Sequence, residues 1–176
     1  RVLEMSPTEL ERYAGIYRHS KSDVVRVLSV QEGRLTMDSE QALEPLGEGR
    51  FRFEDSATTV RFDPPEAEKA QRLLIPSYGP DTVYERVEPA APTPEQLQDY
   101  TGTFHSRDLG TDYELRVEKG GLVLHHRKIG DKELEPTFED GFRFNGYGMT
   151  FTRDDRGRVD GFTLSSGRVR RVRFDR

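Results

Sequence analysis

The stretch Pro7-Thr-Glu-Leu-Glu-Arg-Tyr13-Ala-Gly15-Ile-Tyr17 returns as Pro94-Glu-Gln-Leu-Gln-Asp-Tyr100-Thr-Gly102-Thr-Phe104. Leu10, Tyr13, Gly15 and Tyr17 recur as Leu97, Tyr100, Gly102 and Phe104, each 87 residues later. That period is too long for a solenoid repeat, so each copy predicts a small domain. The repeat continues: Leu28-Ser-Val30-Gln-Glu-Gly33-Arg-Leu35-Thr-Met37 matches Leu115-Arg-Val117-Glu-Lys-Gly120-Gly-Leu122-Val-Leu124 at the same offset. Leu43-Glu-Pro45 and Phe51-Arg-Phe53 match Leu134-Glu-Pro136 and Phe142-Arg-Phe144 at an offset of 91, so the second copy gains four residues between Leu124 and Leu134. Leu73-Leu-Ile75 aligns with Phe162-Thr-Leu164 at 89. Most matched residues are apolar, glycine or proline, which points to a shared core and shared turns rather than a shared catalytic set.

Each copy opens on a helix signal. Ser6-Pro7-Thr8-Glu9 and Thr93-Pro94-Glu95-Gln96 place a hydroxyl at the N-cap, proline at the first helical position and an acid or amide at the third. That is a capping box, with proline where its missing N–H costs nothing. One or two helical turns are expected, ending near Tyr13 and Tyr100. Period-two alternation then takes over. Arg26, Leu28 and Val30 share one strand face, as do Tyr113, Leu115 and Val117. Glu32-Gly33 and Lys119-Gly120-Gly121 read as hairpin turns. Leu35 with Met37, Leu43, Phe51 with Phe53, Val60 with Phe62 and Leu73 with Ile75 continue the series. Their counterparts are Leu122 with Leu124, Leu134, Phe142 with Phe144, Met149 with Phe151 and Phe162 with Leu164.

About eight short strands per copy, turning every ~8–12 residues, predict an all-β barrel or sandwich. A closed antiparallel meander leaves no exposed edge. The expectation is therefore two tandem, small, antiparallel up-and-down β-barrels of about eight strands, each preceded by a short N-terminal helix. The first spans 1–88 and the second 94–176, with a proline-rich linker at 89–93. Exchange of strands between copies to build one larger barrel or sandwich is the alternative.

Composition narrows the function classes. Hydrophobic residues make up 33%, charged residues 34%, and mean hydropathy is −0.80. The chain is polar, yet its alternating Phe, Tyr, Val and Leu runs are foreign to disordered sequence. No cysteine is present, so disulfide and thiolate chemistry are excluded. This leaves the compartment open, since a cytoplasmic protein and an exported bacterial one without bridges both fit. No apolar run reaches the ~18 residues of a membrane span. The chain starts at Arg1, which suits a mature protein or a portion of a longer one. Net charge is −5 and is carried by residues 1–90, with 12 basic and 17 acidic side chains against 15 and 15 in residues 91–176. A nucleic-acid binder needs a domain-wide basic balance with interleaved aromatics, which is missing. The run Arg168-Val-Arg170-Arg171-Val-Arg173 reads as a strand with arginines on its wet face.

The Leu-x-x-Tyr-x-Gly-x-Tyr/Phe opening, followed by about eight short strands with a Gly-Arg or Gly-Leu turn, resembles the C-terminal lipocalin-like barrels of serine hydrolases. Their catalytic domains belong to the β-lactamase and penicillin-binding-protein superfamily, and D-aminopeptidase carries two such barrels in tandem. The resemblance spans Pro7 to Phe174. It implies a non-catalytic accessory C-terminal region of a bacterial β-lactamase-like serine hydrolase, a peptidase or esterase. Such a region shapes substrate access or mediates interdomain or oligomer contacts. The implied partner is an upstream catalytic domain in the same chain, with a second copy of the chain (a homo-oligomer) as a further one. The chemistry of that superfamily is not carried over. No serine from Ser6 to Ser166 has lysine three residues on, the single asparagine, Asn145, follows Arg143 by two, and Lys-Thr-Gly does not occur. The alternative reading is a small-ligand-binding lipocalin-like protein, although Phe51, Phe53, Phe62, Phe142, Phe144 and Phe151 are expected to fill so narrow a barrel.

The residue types that carry chemistry are few. His19, His105, His125 and His126 are the only histidines. His125 and His126 point to opposite faces of a strand, so they cannot ligate one metal together. His105 can approach His125 across neighbouring strands, with Asp108 or Asp131 nearby, but no recognised metal-ligand spacing is present. His105-Ser106-Arg107-Asp108 holds the three residue types of a triad without triad geometry. No catalytic, metal or cofactor residue is assigned. The candidate gating or interface element is the second copy's inserted segment, with His125, His126, Arg127, Lys128, Asp131 and Lys132, read as an enlarged basic loop on a rigid barrel. Tyr147, in the turn Asn145-Gly-Tyr147-Gly148, is a second candidate contact.

Overall fold

The computed structural model describes residues 2–167 and 171–176. The chain divides into two compact units, Arg1–Ser20 with Val25–Glu88 and Lys21–Val24 with Pro89–Arg176.

Barrel 1 begins with helix α1 (Pro7–Leu10), whose capping box is complete: Ser6 Oγ accepts from Glu9 N, and Ser6 N donates to Glu9 Oε2 at 2.8 Å. Eight strands follow: β1 (Gly15–Arg18), β2 (Val25–Gln31), β3 (Arg34–Met37), β4 (Gln41–Gly47), β5 (Arg50–Phe53), β6 (Thr59–Asp63), β7 (Arg72–Ile75) and β8 (Thr82–Val87). Each pairs antiparallel with the next, and β8 returns to β1, so the barrel closes.

Barrel 2 repeats the plan. Helix α2 (Pro94–Leu97) has its own capping box, Thr93 with Gln96, and runs into a tight 3-10 turn at Gln98–Tyr100. Its strands are β9 (Gly102–Ser106), β10 (Thr111–Glu118), β11 (Gly121–His126), β12 (Gly130–Pro136), β13 (Gly141–Phe144), β14 (Tyr147–Arg153), β15 (Val159–Ser165) and β16 (Val172–Asp175). Strand β9 pairs with both β10 and β16, closing the second barrel. The two separately closed barrels exclude one larger sheet with exchanged strands. Within the run at 168–173, residues 168–170 lie outside the described residues, and Arg173 pairs with Asp160 and Asp175.

Local chemistry explains the turns. Glu32-Gly33, Lys119-Gly120 and Asn145-Gly146 have positive φ at both positions. That conformation matches the twist of flanking strands, which is why glycine holds the second place in each. The alternating residues face the barrel axes as expected, and ring systems fill them. In barrel 1, Tyr13 packs edge-on to Phe51 at 4.8 Å and lies 5.0 Å from Phe62. In barrel 2, Phe162 stacks on Phe174 at 4.7 Å, Tyr113 on Phe174 at 4.5 Å, and Tyr100 lies 4.7 Å from Phe151. Tyr13 and Tyr100, at the ends of the helical segments, thus plug one end of each barrel with an aromatic ring.

An arginine locks each plug. Arg86 lies opposite Tyr17 in the β1–β8 ladder. Its guanidinium donates to Ala14 O at 2.7 Å, Arg12 O at 3.1 Å and Tyr17 Oη at 2.7 Å, and also to Ala70 O. It covers the Tyr17 ring at 4.9 Å. Arg176, one step past the Asp175–His105 pair, is its counterpart. It donates to Asp99 O at 2.9 Å and covers Phe104 at 5.1 Å. Gly15 is required by this arrangement: at φ +145, a Cβ there would lie 2.2 Å from Arg86 Nη1.

Candidate functional site

The four residues gained in the second copy lengthen a hairpin instead of a loop. In barrel 1 the β3–β4 ladder ends at Met37↔Gln41, leaving a turn at 38–40. In barrel 2 the ladder runs on through His125↔Asp131 to His126↔Gly130, leaving a turn at 127–129. Both turns are three residues long, so the insertion extends the hairpin's ladder by two residue pairs. The expectation of an enlarged loop is corrected accordingly. His125, His126, Asp131 and Lys132 belong to the ladder, and only Arg127 and Lys128 of the candidates stand in the turn. The physical reason is that each added residue on one strand gains a partner on the other, satisfying backbone groups that a longer loop would leave to water.

The two adjacent histidines take opposite faces, as strand geometry demands. His126 leans on the Tyr113 ring at 5.2 Å. Its Nδ1 accepts from the Lys128 and Ile129 amides at 3.3 and 3.4 Å, so its proton sits on Nε2. Nε2 then donates to Thr111 Oγ1 at 2.8 Å. A general base needs the reverse direction, with the hydroxyl donating to the imidazole. This Thr–His pair is therefore a structural clip between the β9–β10 and β11–β12 hairpins.

His125 lies on the outer face. Its Nδ1 is 2.6 Å from Asp131 Oδ1, and its Nε2 is 2.9 Å from Glu118 Oε1. The Glu118 contact is an ion-pair approach and not a well-aligned hydrogen bond. His105 is likewise engaged by its own carboxylate, Asp112, at 2.6 Å. His105 and His125 thus engage different carboxylates, and no set of three metal-ligating side chains converges among the described residues. His19 sits in barrel 1 with its ring 5.5 Å from Tyr84. Lys132 stands opposite Leu124 in the ladder. Tyr147 is the first residue of β14 and half-buried, stacked on Phe144 at 5.6 Å. The turn there is Asn145-Gly146, and Tyr147 belongs to the rim of the core.

One electrostatically perturbed cluster was not legible in the sequence. At the helix-plugged end of barrel 2, Tyr100 Oη donates to Asp140 Oδ1 at 2.7 Å. Arg153 grips the same carboxylate through Nε at 3.1 Å and Nη2 at 2.8 Å. Its Nη1 donates to Gly157 O at 2.8 Å. Burial, followed by the hydrogen bond to Asp140, pushes the Tyr100 phenol up to about 12. For Asp140, burial alone would raise the carboxyl, but the Arg153 and Tyr100 hydrogen bonds outweigh it and hold it below its ordinary range. Arg153 is raised by its Asp140 bond. Alongside lies a recess of about 270 Å³ lined by Pro92, Gln96, Tyr100, Phe138 and Arg153. Only Tyr100, a repeat residue, and the Asp140-Gly141 turn signal hinted at this cluster in the sequence.

No helix among the described residues is long and apolar enough to cross a membrane. No family model and no curated protein matches the chain.

Proposed function

We propose that this chain is a non-catalytic accessory module, the paired lipocalin-like barrels of a β-lactamase-like serine hydrolase. It shapes substrate access or holds an interface and does not itself carry out chemistry. The observation that carries this reading is that the barrel interiors are occupied by their own aromatic rings, with Tyr17, Phe62, Phe104, Phe162 and Phe174 fully buried. An eight-stranded barrel filled this way offers its surface for function instead of its lumen. The reading draws further support from His126, whose proton sits on the wrong nitrogen for a base. The Arg127–Lys128 turn at the end of the lengthened β11–β12 hairpin is the interface element of this reading, offering cations to an anionic group.

The test begins with the reading frame preceding Arg1, searched for Ser-x-x-Lys and Tyr-x-Asn. Hydrolysis of D-amino-acid peptides and esters is then compared with and without residues 1–176, and with R127A/K128A. A changed substrate preference on removal supports the gate. The absence of any such hydrolase sequence overturns it. Stoichiometric, micromolar binding of a fluorescent fatty acid by residues 1–176 would make the chain a small-ligand carrier.

A further inference from the structure

The end of barrel 2 opposite helix α2 carries two neighbouring hairpin turns of unusual make-up. The β9–β10 turn presents Arg107 and Leu109, and the β11–β12 turn presents Arg127, Lys128 and Ile129. Leu109 is 53% exposed and Ile129 40%, and among the described residues of barrel 2 they are the large exposed hydrophobics. The turns are fixed relative to each other by the Thr111–His126 bond at their bases. The His126 Nδ1 contacts with the Lys128 and Ile129 amides shape the second turn from within. Asp108 lies in the first turn, and the exposed Asp112 and Asp131 just below the tips are each engaged by a histidine, His105 and His125.

One exposed leucine needs no explanation. Two apolar side chains on adjacent protruding tips, each beside cations, form a repeated pattern. We infer that this end of barrel 2 docks on an anionic lipid surface, with Leu109 and Ile129 entering the headgroup region and Arg107, Arg127 and Lys128 meeting lipid phosphates.

Charge and shape favour this occupant over a protein. The cations call for an anionic partner, and apolar residues flanked by Lys and Arg suit an interface that is oily below and charged above. Two turns fall far short of the about 800 Å² per partner that a stable protein interface buries, whereas a lipid surface flows around each tip. The contact is peripheral, and it is expected to be weak and reversible.

The chain contains no tryptophan. L109W and I129W therefore each place one reporter at a tip, in exposed positions that the fold does not depend on. The probes are phosphatidylcholine vesicles with and without about a quarter phosphatidylglycerol, an anionic lipid. The expected result is co-sedimentation and a blue-shifted emission with the anionic vesicles only, both lost at high salt. R127A/K128A should weaken binding about 25-fold at low salt, at about fivefold per cation. L109S/I129S should also weaken it while leaving the circular dichroism spectrum unchanged. The inference is overturned by failure to sediment with anionic vesicles, or by sedimentation with unshifted emission and unaltered affinity in the variants. An emission shift without vesicles, together with a doubled mass in solution, would assign the tips to a second copy of the chain and equally overturn it.

Discussion

Replacing Arg86 with methionine removes the lock on the first barrel's helical plug while keeping the length and apolar stem of the side chain. The guanidinium satisfies three backbone carbonyls, those of Arg12, Ala14 and Ala70, and the Tyr17 hydroxyl. Each buried polar group left without a partner costs about 1–3 kcal/mol. Water at the barrel rim will rescue some of these carbonyls, so the expected loss is about 3–5 kcal/mol, including a cation–π contribution over Tyr17 of roughly 0.5–2 kcal/mol. For a domain of this size, each kcal/mol moves Tm by about 4–8 °C, so barrel 1 should melt at least ~12 °C lower. Arg176 is the internal control. It occupies the equivalent position but donates to a single carbonyl, Asp99 O. R176M should cost only about 1–2 kcal/mol. Gly15→Ala is a second, independent route to the same defect, because the new methyl group displaces Arg86. The assay is urea and thermal unfolding of the intact chain, with hydrogen exchange at β1 and β8 assigning the loss to barrel 1. If R86M costs less than about 1 kcal/mol, or no more than R176M, the lock is not what seats the plug.

Four further outcomes follow from the geometry. Gly161→Ala places a methyl group 2.3 Å from Phe174 O across the β15–β16 ladder; chemical denaturation should show a loss of about 2–3 kcal/mol from overpacking. Gly157→Ala meets open space at φ +77, so the same assay should show only about 1 kcal/mol, for the left-handed backbone. Asp140 is depressed in the folded state, so its contribution is present above the ordinary carboxylate range and is lost as pH falls through the lower folded value. D140N should flatten the acid-unfolding profile of barrel 2 in that window, and an unchanged profile would show that the Arg153 and Tyr100 contacts do not stabilise the fold. Tyr100 is raised to about 12, so its contribution is complete below the ordinary tyrosine value and disappears as pH rises through the folded one. Absorbance titration should place one phenol near there, and Y100F should remove it.

Much of the architecture is local and therefore readable. Ser6-Pro7 and Thr93-Pro94 specify caps because the partners sit three residues away. Glu32-Gly33 and Lys119-Gly120 specify hairpins because their backbone angles are properties of the residues themselves. Alternation puts Leu28, Leu115, Phe62 and Phe151 inside, and a chain of eight such strands per copy has one economical way to hide its edges. The duplication strengthened every one of these signals by stating it twice.

What stayed hidden depends on closure. Arg86 finds Ala14 from 72 residues away, and Arg176 finds Asp99 from 77, because the last strand of each barrel returns to the first. The four-residue gain looked like a loop because sequence records length but not pairing; only the β11–β12 register shows that the ladder grew by two pairs. Tyr100, Asp140 and Arg153 are brought together from three separate segments of the chain. Composition and periodicity thus determined the strands, the turns and the number of barrels, since each is set within a few residues of chain. The plug locks, the orientation of the histidines and the two-tip end of barrel 2 were decided by tertiary structure, because each depends on which strand lies beside which, and in what register.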